Sequence, residues 1–314
     1  MGIFSNSLVQ NINIGPNVRY LNESMYNAFY GCYNFNSVID IPNTITNMDN
    51  TFASCNNFNQ SVTIPNSVTN MSYTFASCNN FNQSVTIPNS VTNVKGLFYY
   101  CNTFNRRVDI PNGITDLSYA FQNCQYLNSY MYIPDTVTNM VYTFYGCNRL
   151  NANTLYIRNY QEGTIQQFRS GLQNMAITNL AYAFYNCRGF NAQSVRIPDS
   201  VTNMAYALSY CAGYPSYIGN NVTNLYYACY NIPSSGSAIT LKIYSKNVTN
   251  AYRFIGNQTR TRYLNIYVPN GSTTMNTFLQ TSASTSITGT SLYWSQSNTE
   301  RFNSTYYIRI IPFD

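Results

Sequence analysis

Few side chains in this 314-residue sequence are capable of covalent or acid–base chemistry. The chain has nine cysteines, ten aspartate and glutamate residues, and no histidine. Without histidine, neither a Ser-His-Asp nor a Cys-His catalytic system can be assembled. A glycosidase needs two converging carboxylates. Asp40 and Asp109 lie at equivalent positions of an internal sequence repeat, three repeat units apart. If each unit forms one coil of a stack with the spacing of paired strands, the two carboxylates are about 14 Å apart. The sequence therefore predicts a protein that is not an enzyme and that holds no cofactor.

The cysteines are evenly spaced, and their spacing reveals an internal repeat. The first six are separated by 23 residues each, and the later steps are 40, 24 and 18 residues. An odd number of cysteines at one repeat position predicts a column of small buried side chains rather than disulfides. The chain also lacks a C-x-x-C pair, which argues against a zinc site. The column comprises Cys32, Cys55, Cys78, Cys101, Cys124, Cys147, Cys187, Cys211 and Cys229.

Other residues recur in phase with the cysteines. A phenylalanine precedes Cys by three residues, an Ile-Pro pair recurs once per repeat, and a V/I-T-N/D block follows it. A fixed period of this length is typical of a solenoid, and 23 residues fit one coil of a leucine-rich-type repeat. The phenylalanines are Phe29, Phe52, Phe75, Phe98, Phe121, Phe144 and Phe184.

Each repeat contains three short elements. Ser61–Ile64 alternates apolar and polar residues and stops at Pro65, which predicts a short strand. Val68–Met71 predicts a second extended piece, and the apolar spacing of the segment before Cys78 suits one helical or 3₁₀ turn. If strands pair between coils about 4.8 Å apart, equivalent side chains form one continuous core. The expected fold is a mostly β, right-handed leucine-rich-repeat solenoid with short helical or 3₁₀ turns.

These marks resemble the BspA-type leucine-rich repeats of bacterial surface proteins, with their I-P-x-x-V-T-x-I and A-F-x-x-C patterns. The resemblance covers about residues 12–230, although Asn-Met stands where that family usually has a Ser-Ile-Gly-like run. Because that family is mainly linked to surface attachment and recognition, the resemblance implies a role of that class.

Three regions are expected along the chain. Residues 1–31 form an N-terminal arm and a degenerate capping coil, residues 32–257 form the solenoid, and residues 258–314 form a β-rich C-terminal cap. An insertion near 158–174 places Ile165, Phe168 and Leu172 at the spacing of a short amphipathic helix. Whether this insertion projects as a binding element or is a loop without a role stays open. The run beginning YVPNGSTTMNTFL resembles the C-terminal ends of repeat proteins carried by phages of Gram-positive bacteria.

The sequence also leads to an expectation about location. It shows no signal-peptide pattern at its start and no apolar window of membrane-spanning length. The net charge of +6 is scattered, so neither nucleic-acid binding nor membrane insertion is expected. A surface-type repeat without an export signal favours a bacteriophage virion, made in the host cytoplasm; a bacterial cell surface is the alternative.

The candidate recognition surface lies on the predicted strand face. The middle residue of each V-x-I strand, and the residue two positions earlier, vary between coils. Exposed tyrosines beside charged groups suit the recognition of a glycan or a protein, because the ring stacks while the hydroxyl hydrogen-bonds. In contrast, the recurring asparagines and a second tyrosine column are interpreted as structural ladders. The tyrosine column consists of Tyr73, Tyr119, Tyr142, Tyr182, Tyr206 and Tyr226. The candidate surface residues are Arg107, Asp109, Tyr130, Tyr132 and Arg196.

Three hypotheses about function remain. The first is a non-enzymatic virion fibre, tail or decoration protein that contacts other virion proteins and attaches to host surface glycan or protein. The second is a structural virion or assembly subunit, whose solenoid edge pairs with copies of itself or with another subunit. The third is a bacterial cell-surface adhesin.

Overall fold

The computed structural model describes residues 4–8, 23–232, 239–255, 263–274, 277 and 307–313. The chain divides into two compact units. Unit 1 comprises Met1–Leu150 with Thr154–Ile165, and unit 2 comprises Asn151–Asn153 with Gln166–Asp314. The division falls within the coil of the insertion; the three-region boundaries expected from the sequence stay a prediction.

The chain forms a mostly β solenoid, as expected for leucine-rich repeats. The strands are β1 Val108–Asp109, β2 Met131–Pro134, β3 Leu155–Asn159, β4 Thr164–Gln167, β5 Arg196–Ile197, β6 Tyr217–Ile218, β7 Ile239–Ile243, β8 Tyr263–Pro269 and β9 Tyr307–Phe313. They form two sheets, ordered β1-β2-β3-β4 and β5-β6-β7-β8-β9; the pairs from β1 to β3 and from β5 to β9 are parallel and join successive coils. The sequence accounts for strands such as β3, in which buried residues alternate with more exposed ones before a turn.

The predicted strand is not formed in the first coils. Residues 38–41, 61–64 and 84–87 join no sheet in the described part of the chain. In these coils, Phe35, Phe58, Phe81 and Phe104 stack with ring centroids 5.6–6.2 Å apart, more than the 4.7–4.9 Å between paired strands. The ladder begins at β1 and β2, where Leu127 takes the position of Phe104. We infer that the stacked rings hold the early coils too far apart for strand pairing.

In the early coils, the backbone pairs instead at the asparagines of the V/I-T-N/D block. Isolated parallel bridges join Asn47 to Asn70 and Asn70 to Asn93. The Asn70 side chain donates to the Asn47 Oδ1 at 3.0 Å and accepts from the Ser72 N–H at 3.0 Å. The structural role predicted for the asparagines is thus confirmed: each joins one coil to the next and closes its own turn.

The segment before each cysteine, expected to form one helical or 3₁₀ turn, is a series of tight turns with hydrogen bonds of the 3₁₀ type. The Cys55 N–H bonds the Phe52 carbonyl three residues earlier, as in a 3₁₀ turn, but the Phe52 N–H bonds Thr74 in the next coil. Asn50 and Ser54 have positive φ, 54° and 63°. A left-handed residue at each of these positions prevents the turns from joining into a helix.

Phenylalanine and cysteine columns form the core, as predicted. Phe29, Phe52 and Phe75 are fully buried and stack at centroid distances of 5.6 and 5.7 Å. The Cys78 thiol donates to the Phe52 carbonyl at 3.0 Å, and the same bond recurs from coil to coil. All nine cysteines are buried free thiols.

Cys229 does not belong to the cysteine column, contrary to the prediction. Asn203 bridges Asn224, a step of 21 residues, so Cys229 lies five residues after the ladder asparagine, where Phe52 follows Asn47. The Cys229 N–H accordingly bonds the Phe254 carbonyl in the next coil. Ile232 occupies the cysteine position of this coil. The step from Asn203 to Asn224 is two residues shorter than the regular 23, and counting from cysteine to cysteine alone assigned the wrong column.

The insertion forms a strand and a very short helix. The Asn159 Oδ1 accepts from the N–H groups of Gln161 and Glu162, and Gly163 completes the turn with φ +66°. This turn leads into β4, so Ile165 lies in a strand and is 51% exposed rather than lying on the apolar face of a helix. The helix α1 (Phe168–Gly171) and the 3₁₀ turn Leu172–Asn174 then bury Phe168 and Leu172, the residues that were expected to be apolar anchors.

The predicted β-rich C-terminal region contains β8 and β9, which pair in parallel over seven residues and extend the sheet of β5–β7. At the other end, Phe4 stacks on Phe29 at 5.4 Å, and its carbonyl accepts the Cys32 thiol. Residues 1–3 and 9–22 of the expected N-terminal arm and degenerate coil, and residues 278–306 of the expected C-terminal cap, lie outside the described residues.

Candidate recognition surface

Three neighbouring strands of unit 1 bring four of the five candidate residues together. The register aligns Asp109 of β1 with Tyr132 of β2 and Tyr156 of β3. Arg107 and Tyr130 occupy the preceding outward positions, and Arg158 lies beside Pro134 at the end of β3. We call the resulting group the Asp109 patch; it consists of Arg107, Asp109, Tyr130, Tyr132, Tyr156 and Arg158.

Asp109 is the electrostatic centre of the patch. Arg107 binds it through two hydrogen bonds of 3.0 and 2.8 Å, and the Arg158 guanidinium lies 3.9 Å from the same carboxylate. Bidentate pairing fixes the plane of the Arg107 guanidinium. The hydrogen bond to Asp109 and its negative charge raise the pKa of Arg107 further above its ordinary value. The group has two positive charges and one negative charge, so a net positive charge remains available to a ligand.

Tyrosine rings lie beneath and beside the two guanidinium groups. Both guanidinium groups lie over the Tyr132 ring, Arg107 at 4.9 Å and Arg158 at 4.7 Å from its centroid. The Tyr156 ring stacks on Tyr132 at 5.4 Å and tilts against Tyr130 at 5.9 Å. Tyr130 is 55% exposed. Ring faces, hydroxyls and cations thus meet on one surface, an arrangement suited to glycan or protein recognition.

Sequence reasoning missed two members of this patch, Tyr156 and Arg158. The Ile-Pro marker identified the strand in the other coils, but Arg158 replaces that proline at the end of β3. The alternation in Leu155-Tyr-Ile-Arg matches Met131-Tyr-Ile-Pro, so a search without the proline would have found both residues. Tyr160 continues the group, since it lies under Arg158 and donates to the Ile110 carbonyl at 3.1 Å.

The fifth candidate residue, Arg196, belongs to unit 2 and is described there by itself. Its guanidinium lies 4.2 Å from the centroid of the Tyr217 ring, which is its partner in the β5–β6 register. The Tyr217 hydroxyl donates to the Asp199 carboxylate at 2.7 Å. Burial, and then this hydrogen bond, raise the pKa of Tyr217 to about 12. The hydroxyl therefore stays protonated at neutral pH and continues to donate its hydrogen bond to the Asp199 carboxylate.

The tyrosines on the turn side of the repeat form ladders, as interpreted from the sequence. Tyr119 stacks on Tyr142 at 5.2 Å in unit 1, and Tyr182 stacks on Tyr206 at 4.5 Å in unit 2. The assignment of Tyr226 to this series was wrong by one residue. Tyr227 has the positive φ of the series, 53°, and stacks on Tyr206 at 4.8 Å.

Two further properties concern metals and membranes. Among the described residues, no three His, Cys, Asp or Glu side chains come close enough to hold a metal ion. Within the same residues, no helix is both long and apolar enough to cross a membrane.

The coil geometry defines a leucine-rich-repeat solenoid, a class of binding scaffold. A family model for the BspA type leucine rich repeat region matches six copies, over residues 25–151, 71–179 and 172–284. The chain belongs to this family. The resemblance inferred from the sequence is therefore confirmed at the level of the family.

Two solved structures are similar to the chain. A leucine-rich repeat protein from Bacteroides ovatus ATCC 8483 has a TM-score of 0.52 and 20% identity, covering 77% of this chain and 57% of that protein. The chain thus spans little more than half of that protein. A leucine rich cell surface protein from Faecalibacterium prausnitzii A2-165 has a TM-score of 0.34 and 20% identity, with coverages of 76% and 74%. The first likeness concerns the fold alone. No curated protein matches.

Proposed function

We propose that this protein is a non-enzymatic attachment scaffold that binds a surface glycan or protein through the Asp109 patch. The observation that carries the proposal is the joint exposure of Arg107, Asp109 and Tyr130 around the Tyr132 ring. Membership of the BspA-type family supports a repeat scaffold.

The patch stands out because the two coils before it hold small neutral residues at the same positions, although the first regular coil has Asp40 there. Ser61 and Thr63 occupy the positions of Tyr130 and Tyr132, and the next coil repeats them as Ser84 and Thr86. The solenoid therefore folds around serine and threonine at these sites. Since the fold does not require charges or rings there, a role in binding accounts for them better than a role in packing.

The setting of this role is a separate part of the proposal. We place the protein on a bacteriophage virion, where it contacts other virion proteins, with a bacterial cell surface as the alternative. Gold-labelled antibody against the protein distinguishes the two settings. Labelling of purified phage particles supports a virion protein, and labelling of intact uninfected bacteria supports an adhesin.

Binding to cells tests the attachment role. Fluorescently labelled protein is incubated with a panel of candidate host bacteria, beside the variant R107S/Y130S/Y132T, which installs the residues of the earlier coils. We expect saturable binding to at least one host, and an affinity weakened at least about tenfold in the variant, since stacking and charge contacts are lost together.

The matched control removes exposed tyrosines elsewhere in unit 1. Tyr33 and Tyr126 are 54% and 46% exposed, and other coils hold asparagine at both positions. The variant Y33N/Y126N should bind cells like the unchanged protein. Absence of saturable binding on every host, or equal loss in both variants, would contradict the proposal.

An assembly subunit is the second candidate function. β4 (Thr164–Gln167) ends the strand order of its sheet, and all four of its side chains are exposed. Such an edge is a template for pairing with another chain. Light scattering of the protein and of a Gln166→Pro variant tests this alternative. A concentration-dependent oligomer that Gln166→Pro dissolves would favour the subunit, and a monomer in both would exclude self-pairing.

A further inference from the structure

Unit 2 carries a second aromatic surface, on the turn side of its coils. Three tyrosines lie at the positive-φ position of successive coils, and three more lie three or four residues further along each coil. All six are partly exposed. We call this group the tyrosine belt; its inner row is Tyr182, Tyr206 and Tyr227, and its outer row is Tyr185, Tyr210 and Tyr230.

The two rows of the belt are built differently. In the inner row, rings stack nearly parallel, with centroids 4.5 and 4.8 Å apart from coil to coil. In the outer row, Tyr210 stands at 69° to Tyr185 and at 67° to Tyr230, at 5.4 and 5.8 Å. The inner row thus presents a regular series of ring edges, whereas the crossed rings of the outer row leave parts of their faces uncovered.

The belt carries almost no charge. The Arg253 guanidinium lies 5.8 Å from the Tyr227 ring at one edge. Asp199 is the one carboxylate among the described residues of unit 2, and it is engaged by the Tyr217 hydroxyl and the Asn220 N–H, at 2.7 and 2.9 Å. A ligand of the belt would meet hydroxyls and rings, with a positive group at the margin and no negative one.

The repeat does not require tyrosine at these positions. At the inner position, unit 1 has Asn27, Asn50 and Gly96 in three coils, with φ of 56°, 54° and 61°, and tyrosine in the three others, Tyr73, Tyr119 and Tyr142. Asparagine and glycine adopt this conformation more readily than tyrosine does. Alanine occupies the outer position at Ala53 and Ala76. Unit 2 therefore keeps six tyrosines where smaller residues complete the same turns.

We propose that the tyrosine belt is a binding site for a polysaccharide. A sugar ring has a C–H face that packs on aromatic rings and a rim of hydroxyls that hydrogen-bond to tyrosine hydroxyls. The belt repeats at 4.5–4.8 Å along its inner row, so equivalent tyrosine rings recur from coil to coil. A periodic surface matches a periodic polymer, and a folded protein partner presents no such repeat.

A single-stranded nucleic acid is the other ligand that aromatic rows bind, but it also needs a positively charged groove. The belt offers Arg253 at its margin, which is insufficient for a backbone charged at every residue. The proposal shares no residue with the Asp109 patch, so the two sites succeed or fail independently.

The test is affinity electrophoresis of the full chain. Native gels contain hydroxyethylcellulose, galactomannan, xylan or extracted bacterial cell-wall polysaccharide, and retardation gives the dissociation constant. The variant Y185A/Y210N/Y230A carries residues that the same repeat positions hold elsewhere: alanine as at Ala53 and Ala76, and asparagine as at Asn123. It should therefore fold, which circular dichroism verifies.

A control variant makes the equivalent changes in unit 1. Y99A/Y100N/Y145A removes three tyrosines from the same repeat positions. We expect at least one polysaccharide to retard the unchanged protein, the belt variant to bind at least about tenfold more weakly, and the control to stay within about twofold.

Three results would overturn the proposal: no retardation in any gel, equal loss in both variants, or loss of oligothymidylate binding in place of polysaccharide binding. The last result would assign the belt to single-stranded nucleic acid. Cell binding by R107S/Y130S/Y132T is measured separately, so failure of one site leaves the evidence for the other intact.

Discussion

The two units hold successive coils together by different means. In unit 1, buried phenylalanine rings stack face to face, Phe52 on Phe75 at 5.7 Å, and the first coils form no strand ladder. In unit 2, Leu208, Cys229 and Ile255 follow Phe184 in the same column, and parallel pairing grows from two residues between β5 and β6 to seven between β8 and β9. Backbone hydrogen bonds join the turn segments of successive coils in both units, as from the Phe52 N–H to the Thr74 carbonyl, whereas the strand ladder is added only from β1 onward.

The difference has a consequence for the surfaces. The flat ladder of paired strands aligns outward side chains in register, which assembles the Asp109 patch just where the phenylalanine column changes to Leu127 and Leu150. The two coils before it present serine and threonine at these positions, and the first regular coil has Val38 and Asp40. The positions that vary between coils thus lie on the part of unit 1 where the backbone fixes their geometry most firmly.

Alkaline pH should produce the largest difference between the units. Burial raises the pKa of five unit 1 thiols above the ordinary value of 9.0, and of two in unit 2. The folded chain keeps these protons, while the unfolded chain releases them above pH 9, so stability is full below that pH and falls as pH rises. Each thiol contributes up to about 1.4 kcal/mol per pH unit. Unit 1 should therefore lose stability first.

Alkylation at pH 8, 9 and 10, with peptide mapping, checks the order. Unit 1 cysteines should be labelled before Cys211 once the pH exceeds 9. The variant C101S/C124S removes two titrating groups and should flatten the pH dependence. Labelling of both units at the same rate at every pH would contradict the difference.

Truncation of a stacked ring should be the next largest effect. The Phe75 ring contacts those of Phe52, Phe58, Phe81 and Phe98. Phe75→Ala should cost about 3–5 kcal/mol, because a large cavity remains and four ring contacts are lost. Leu208→Ala, at the same repeat position in unit 2, should cost less. Urea unfolding measures both, and an equal or greater cost for Leu208→Ala would remove the distinction between the units.

A smaller substitution tests whether the rings prevent the strand ladder. Phe104→Leu places at this position the residue that follows in the next coil, Leu127, and should let residues 84–87 pair with β1. The amides of Val85 and Ile87 would then donate across coils, as Val108 does to the Tyr130 carbonyl at 3.2 Å. Slower hydrogen exchange at these two amides is expected. Phe98→Leu, in the other column, is the control; unchanged exchange in Phe104→Leu would show that another factor sets the spacing.

The smallest effect on stability should come from the patch itself. The Arg107 and Asp109 side chains are 60% and 39% exposed, and exposed ion pairs contribute little to folding. Asp109→Thr should change the free energy of unfolding by less than about 1 kcal/mol. A loss of several kcal/mol in urea unfolding would make Asp109 a structural residue and weaken the case for recognition.

The repeat made most of the core predictable. Any residue that recurred in phase, such as Phe75 or Cys78, was correctly placed in a buried column, because solenoid stacking converts sequence period into spatial neighbours. The failures arose where spacing changed. A step of 21 residues moved Cys229 into the phenylalanine column; the V-T-N block marks this change, because Cys229 follows Asn224 by five residues whereas Cys55 follows Asn47 by eight.

The strands and the patch were predictable only in part. The alternation of Ser61–Ile64 favoured a strand, but pairing depends on coil separation, which the buried rings determine. Of the patch, Arg107 and Tyr132 were found as variable positions, while Arg158 was missed because it replaces the proline that marked the strand end. Of the belt, Tyr182 and Tyr206 were correctly assigned to a ladder, whereas Tyr227 and the outer row were missed, and the sequence does not contain the ring orientations.

A saturation isotherm on host cells tests the central claim most directly. The unchanged protein, R107S/Y130S/Y132T and Y33N/Y126N are titrated onto the same bacteria, after circular dichroism has verified that all three are folded. We predict that the first and third bind with the same affinity and that the patch variant binds at least about tenfold more weakly. An isotherm of the patch variant that overlays that of the unchanged protein would contradict the assignment of recognition to the Asp109 patch.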